Sequence, residues 1–208
     1  WAEAYAAWNR RDLSDEHYVY VWVDGIYSAL RGEDDRLCLL VLIGVNEQGE
    51  KRLLALSDGD RESKASWLAL LQDLQARGLS APPALGIGDG ALGFWAALDE
   101  AWPQTRHQRC WVHKTANVLN ALPTSIQGKA KAGLQEIWMA ETQAQANTAF
   151  DRFARDFGAK YPKAVALLAK DRAAPASLLR LPGRALGSHS HHQPDRIELR
   201  HHPAPHHP

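Results

Sequence analysis

Tyr18-Val19-Tyr20-Val21-Trp22-Val23-Asp24-Gly25-Ile26-Tyr27 is the stretch whose reading decides the fold. Up to Val23 it is β-branched or aromatic, a composition that suits a covered, pleated surface. It then meets a carboxylate and a glycine. An aspartate at the end of such a strand is costly to bury without a partner. Two readings stand on the dipeptide alone. Asp24-Gly25 is a hairpin turn, or Asp24 sits at a sheet edge and holds a cation. The flanking sequence has to choose between them.

Downstream, Arg31–Asp35 is a polar turn and Arg36–Val45 a continuous apolar run, the signature of a central strand. Asn46–Glu50 is a second turn and Lys51–Asp58 a third strand. Strands joined by short polar turns make an antiparallel meander. A helix begins at Ser63, with Trp67, Leu68, Leu70, Leu71 and Leu74 at helical spacing; Gly78 stops it and Pro82-Pro83 prevents a restart. Ala84–Gly90 is a short buried strand that again ends Asp89-Gly90. Ala91–Ala101 is a helix, Thr105–Cys110 a fifth strand and Trp111–Leu122 a helix. Two further helices are expected over Ile126–Met139 and Gln143–Tyr161. Upstream, Trp1–Asp15 is a helix or linker entering the first strand.

Composition sets the bounds. With 208 residues the chain is one or two domains. It is 45% hydrophobic and 23% charged, enough for a core. Its formal net charge is zero, so any basic surface is local. Cys38 and Cys110 suggest no disulfide framework, which fits a reducing cytoplasm. There is no signal peptide and no apolar run long enough for a membrane. The one methionine is Met139, and the chain reads as a piece of something longer. All 17 aromatic residues (8 Trp, 5 Tyr, 4 Phe) lie at or before Tyr161. From Pro175 onward there are none and no Lys, while 7 of the 10 His and 6 of the 11 Pro fall there. Such a segment cannot bury enough surface to offset its ordering entropy. We therefore read 1–174 as the folded part and 175–208 as a disordered His/Pro-rich tail.

The order βββαβαβα, three antiparallel strands and then alternating helices and parallel strands, is similar to the ribonuclease-H-like α/β fold. In that fold the ends of strands one and four lie side by side. Asp24 and Asp89 would then meet, although 65 residues separate them (89 − 24). Paired carboxylates repel unless a cation neutralises them. All-oxygen donors suit Mg²⁺ or Mn²⁺, and carboxylate-held metal pairs serve phosphodiester hydrolysis and transfer. The paired-site reading outweighs two unrelated turns.

Four segments make the resemblance specific. They are Val21-Trp-Val-Asp24-Gly-Ile-Tyr27, Leu56-Ser-Asp-Gly-Asp-Arg-Glu-Ser63, Gly88-Asp89-Gly-Ala-Leu-Gly-Phe-Trp95 and Gln108-Arg-Cys110-Trp-Val-His113-Lys-Thr-Ala-Asn-Val-Leu119. Together they resemble the mutator-type bacterial insertion-sequence transposases, over about residues 1–174. The resemblance implies that Asp24 and Asp89 are the first two acids of an Asp-Asp-Glu triad and hold Mg²⁺ or Mn²⁺. It implies that Cys110 and His113 are a Cys-x-x-His signature. It further implies DNA (element ends and target) as partner, a homo-oligomer in the intact family member, and a cytoplasmic, nucleoid-associated protein. The family's DNA-binding region would lie before Trp1.

Cys110-x-x-His113 is half a zinc site or a support for the carboxylates. Zinc needs two more ligands, and His107 is the sole nearby candidate, so a supporting or packing role is favoured. Arg106, Arg109 and Lys114 are candidate phosphate contacts, against a solvated charged face. Asp58 and Asp60 read as turn residues, and Glu136 and Glu141 as solvent-facing helix positions. Trp22, Trp67, Trp95, Trp102, Trp111 and Trp138 read most simply as core, with base stacking by one of them the alternative.

The third acid is where the chain departs from the family. After Lys170-Asp171-Arg172 the family continues with an aromatic-rich segment and then Thr-Thr-Asn-Pro-Ile-Glu-Ser, which carries the catalytic glutamate. Here the sequence runs Pro-Ala-Ser-Leu-Leu-Arg-Leu. One permitted coding of His191–Glu198, read one base later, yields Thr-Thr-Asn-Pro-Ile-Glu-Ser. We expect a one-base frameshift between about Ala173 and Pro175. Glu198 is near the lost position only by accident of frame. Two function classes result: a DNA-cleaving and strand-transferring transposase, inactive in this chain for want of its third acid, or a non-catalytic remnant that binds DNA or an intact transposase. A nuclease of the same fold unrelated to transposition fits the Cys-x-x-His block less well.

Overall fold

The computed structural model describes residues 1–29, 36–59, 62–170 and 172. Five strands form one sheet: β1 Tyr20–Ala29, β2 Arg36–Val45, β3 Lys51–Gly59, β4 Leu85–Gly88 and β5 Arg106–Arg109. Among the described residues seven helices accompany it: α1 Ala2–Asn9, α2 Lys64–Ala76, α3 Leu92–Ala101, α4 Trp111–Leu119, α5 Thr124–Trp138, α6 Gln143–Gly158 and α7 Pro162–Ala169. The strand order is β3-β2-β1-β4-β5. β1 runs antiparallel to β2, and β2 to β3, while β1–β4 and β4–β5 are parallel. This is the topology of the ribonuclease-H-like fold, as the βββαβαβα order predicts.

The alternation of β1 explains its two faces. Val21 and Val23 point into one core with Leu40, Leu42 and Leu54 of the meander and with Trp67 and Leu71 of α2 and Phe94 of α3. Trp67 and Phe94 meet edge-on at 5.4 Å, an arrangement aromatic rings favour. Tyr20 and Trp22 point the other way, into a smaller cluster with Val45, Leu85, Ile87 and Cys110. Ser63 caps α2 by accepting a hydrogen bond from the Ser66 amide. A third core lies among α4–α7, built on Leu134, Phe150, Phe153, Phe157 and Leu168.

The structure departs from the sequence-based expectations at several points. Gln143–Tyr161 is not one helix to its end. α6 stops at Gly158, and α7, unforeseen, restarts with Pro162 at its first position, where the missing N–H costs nothing. Asp58 is not a turn residue: it lies in β3 opposite Leu39. Glu141 precedes the N-cap Thr142 rather than lying on a helix. Of the tryptophans, Trp67, Trp102 and Trp111 are buried, whereas Trp22, Trp95 and Trp138 are only partly covered. Asp60, Asp171, the expected frameshift between about Ala173 and Pro175, and the tail 175–208 lie outside the described residues.

Candidate active site at the head of the β1–β4 pair

Asp24 is not at the end of its strand. β1 continues past it, and Asp24-Gly25 pairs with Val41 and Leu40 of β2, so the dipeptide is no hairpin turn. What ends near Asp24 is the pairing with β4, whose last partners are Trp22 and Ile87. Carrying that register two residues further sets Asp24 opposite Asp89. By alternation both carboxylates fall on the face of Tyr20, Trp22, Leu85 and Ile87. The 65-residue separation closes because the β1–β4 crossover makes these strands neighbours.

Their charges interact. Burial and the neighbouring Asp89 charge hold the Asp24 carboxyl above its usual range, while His113 works in the opposite direction. Asp89 is fixed from two sides. Its Oδ1 accepts a hydrogen bond from the Ala91 amide at 2.8 Å, and its carbonyl accepts two from the Arg109 guanidinium at 3.1 and 2.9 Å. Gly90 between them has φ +99°, and a Cβ there would meet that guanidinium.

α4 brings up the Cys-x-x-His pair. Cys110 is its N-cap and continues the ladder by donating its amide to Gly88 at 2.7 Å. His113 is then the third helical residue. N-cap and N3 side chains converge in any capping box, and this spacing does the same for a thiol and an imidazole. His113 Nε2 stands 3.8 Å from Asp24 Oδ1, with both side chains about half exposed. Contact with the Cys110 sulfur, and then the attraction of Asp24 and Asp89, push His113 up to about 9 against the desolvation that lowers it. Burial raises the Cys110 thiol, but contact with His113 outweighs it and leaves the thiol below its ordinary value. His113 Nδ1 is buried and makes no aligned hydrogen bond.

His107 does not join them. Its ring stacks on Trp95 at 4.7 Å and its Nε2 meets Asp99 at 2.8 Å. Among the described residues no three His, Cys, Asp or Glu side chains are already gathered as a metal-holding group. The cation candidates separate. Arg106 is exposed, Arg109 is engaged with the Asp89 carbonyl, and Lys114 is buried with its ammonium 5.1 Å from the Trp111 ring centre. Glu136, exposed, pairs with Arg152 at 2.8 Å, well away in the helical part.

One group near the carboxylates, Glu62, lies in the Leu56–Ser63 segment but is not distinguished there from its polar neighbours. Burial, then the charges of Asp89 and Asp24, push the Glu62 carboxyl upward. Glu62 immediately precedes the N-cap of α2, and its side chain lies across Gly25.

The family model described as Transposase, Mutator family, matches residues 1–186. The chain belongs to the mutator family of transposases. This mutator-family chain is 60% identical over 173 residues to the transposase for insertion sequence element IST2 of Acidithiobacillus ferrooxidans, covering 83% of this chain and 58% of that one. It is 52% identical over 171 residues to the transposase for IS6120 of Mycolicibacterium smegmatis, covering 82% and 53%. The chain thus spans about half the length of these relatives. Among solved structures, the HTLV-2 integrase catalytic core domain in complex with magnesium aligns with a TM-score of 0.31 and 15% identity over 64% of this chain and 92% of that one. The assignment of the fold rests on the strand order, not on that alignment.

Proposed function

We propose that this mutator-family chain is the incomplete catalytic part of a DNA transposase, in which Asp24 and Asp89 hold Mg²⁺ or Mn²⁺. The observation that carries the reading is their register across the parallel β1–β4 pair, on one face of the sheet. The donor chemistry fits a hard cation: two carboxylates, of which burial and the Asp89 charge make Asp24 costlier to ionise, and a glycine beside them that leaves room for a third acidic chain. A divalent ion bound there would neutralise the pair and supply the charge that phosphodiester cleavage and strand transfer by a 3′-hydroxyl require.

The chain's own residues would do the rest. Arg109, by donating to the Asp89 carbonyl, holds the Asp89-Gly90 turn in place. His113, cationic at neutral pH, keeps a proton on Nε2 toward Asp24 and offsets negative charge brought in by a phosphate. Exposed Arg106 is available for backbone phosphate. DNA is the partner, and the intact family member is a homo-oligomer. No helix of the described residues is long and apolar enough to cross a membrane.

We further propose that the third acid of the triad is lost to a frame change after about residue 174, so that this chain binds its cation weakly and cleaves little or no DNA. Nicking of supercoiled plasmid with Mn²⁺ tests both parts, with Asp24→Ala and Asp89→Ala as controls. Residual nicking is expected near background and absent in both variants. Robust nicking that survives both substitutions overturns the reading. The gene sequence tests the frame change: the next frame must encode Thr-Thr-Asn-Pro-Ile-Glu-Ser opposite His191–Glu198. The non-catalytic remnant remains the second reading, distinguished by DNA retention without any metal response.

A further inference from the structure

Two glycines, in different elements, position one glutamate. A Cβ built on Gly25, next in chain to Asp24, would overlap the Glu62 carboxylate and its Cγ. The same construction on Gly93, in the first turn of α3, meets Ser63 C and Lys64 N at 2.9 Å and the Glu62 carbonyl at 3.1 Å. The N-terminus of α2 is therefore packed backbone-to-backbone on the N-terminus of α3. That α3 terminus begins three residues after Asp89. Glu62 thus has its main chain anchored beside the Asp89 turn and its side chain laid over the residue after Asp24. The Glu62 amide also lies 3.4 Å from the Tyr27 hydroxyl, further along β1.

A carboxylate held there has no structural need to be a carboxylate. Burial and the charges of Asp89 and Asp24 all oppose its ionisation, and the influence of His113 in the other direction is the smallest of the four. Glutamine would fill the same space without that repulsion. A divalent cation is the partner whose charge turns three repelling groups into a favourable set.

We propose that Glu62 supplies a third carboxylate to the cation site formed by Asp24 and Asp89. It comes from the start of α2, not from the chain beyond residue 174. This rests on the reading of Asp24 and Asp89 as a cation-binding pair. Among the described residues no three such groups are already gathered, and Gly25 alternates with Asp24 along β1, so joining the ion requires the Glu62 side chain to turn from Gly25 toward the two aspartates.

The test is Mn²⁺ binding to the full 208-residue chain, monitored by the electron paramagnetic resonance of free Mn²⁺ and by the melting shift that Mn²⁺ produces. Glu62→Gln is expected to weaken Mn²⁺ binding at least about tenfold, while its cation-free melting temperature stays level or rises. Gly25→Ala, which keeps the glutamate but displaces its carboxylate, should weaken binding in the same direction. Asp58→Asn, on the neighbouring β3, should leave binding unchanged. Should Glu62→Gln fold poorly, Glu62→Asp and Gly25→Ala carry the same test. If Asp24→Asn and Asp89→Asn abolish binding but Glu62→Gln and Gly25→Ala do not weaken it, the role of Glu62 is overturned and the two-aspartate site survives. If none of the four substitutions changes Mn²⁺ binding, the site itself is overturned.

Discussion

At the scale of single residues, His113 is the most informative group. Its folded pKa, about 9, lies above the 6.5 of an unperturbed imidazole. The stability it contributes is therefore fully present below pH 6.5 and is lost as pH rises through about 9. The melting temperature should fall across that interval in the cation-free chain, and fall less in His113→Gln. Nuclear magnetic resonance of the imidazole should show its titration near 9, moved downward by Asp24→Asn and by Cys110→Ala, because each removes a group that favours the imidazolium. An ordinary titration near 6.5 in the unmodified chain would contradict the contacts with Cys110 and Asp24. Asp24 and Asp89 are legible in the sequence because each follows an apolar run and precedes a glycine. Glu62 is not, since a polar segment holding Asp58, Asp60 and Glu62 offers no periodicity to separate them. Only the packing over Gly25 and against Gly93 singles it out.

At the scale of elements, the meander and the βαβ units arise from hydrophobic patterning alone. β2 is a continuous apolar run whose bounds, Arg36–Val45, match the strand, although only one face is fully buried: Cys38, Leu40 and Leu42 lie in the core, while Leu39, Val41 and Ile43 are partly exposed. Within it Gly44 has a packing reason: a Cβ there would come within 2.5 Å of the Tyr18 ring and 2.7 Å of Leu54. Gly44→Ala should cost about 1–3 kcal/mol through overpacking, read as a lower denaturation midpoint at constant slope. Trp67→Ala, which empties the buried contact with Phe94, should cost about 3–5 kcal/mol. Little change in either would place the α2–sheet core elsewhere. The end of α6 is not legible, because Phe157, Tyr161 and Leu168 continue an apolar spacing across the break. What divides the two helices is Pro162, which can open a helix but cannot continue one.

At the scale of the molecule, the sheet, its two covering helices and the α4–α7 cluster account for all three cores. The C-terminal boundary of the described fold is marked by Arg172. Its guanidinium lies 4.5 Å over the Phe150 ring and 2.7 Å from Asp151. We propose that the tail 175–208 contributes nothing to the folded state. A chain cut after residue 174 should melt within about 2 °C of the full chain, and a large loss would show that the tail packs. The break in composition after Tyr161 is visible from residue counts, as is the family from its motifs. The neighbourhood of α2 and α3 at the site is not, because it depends on how two helices from separate crossovers meet.

The function proposed for this chain depends on Asp24 and Asp89, from different strands, binding one cation between them. Replacing that cation with Fe²⁺ and adding ascorbate and peroxide generates radicals that cut the backbone next to the ion. Two cuts are expected, one near residue 24 and one near residue 89, both suppressed by excess Mg²⁺ and both lost in either Asp24→Asn or Asp89→Asn. Cleavage at only one of these positions, or confined to the histidine-rich residues beyond 188, would contradict a shared site.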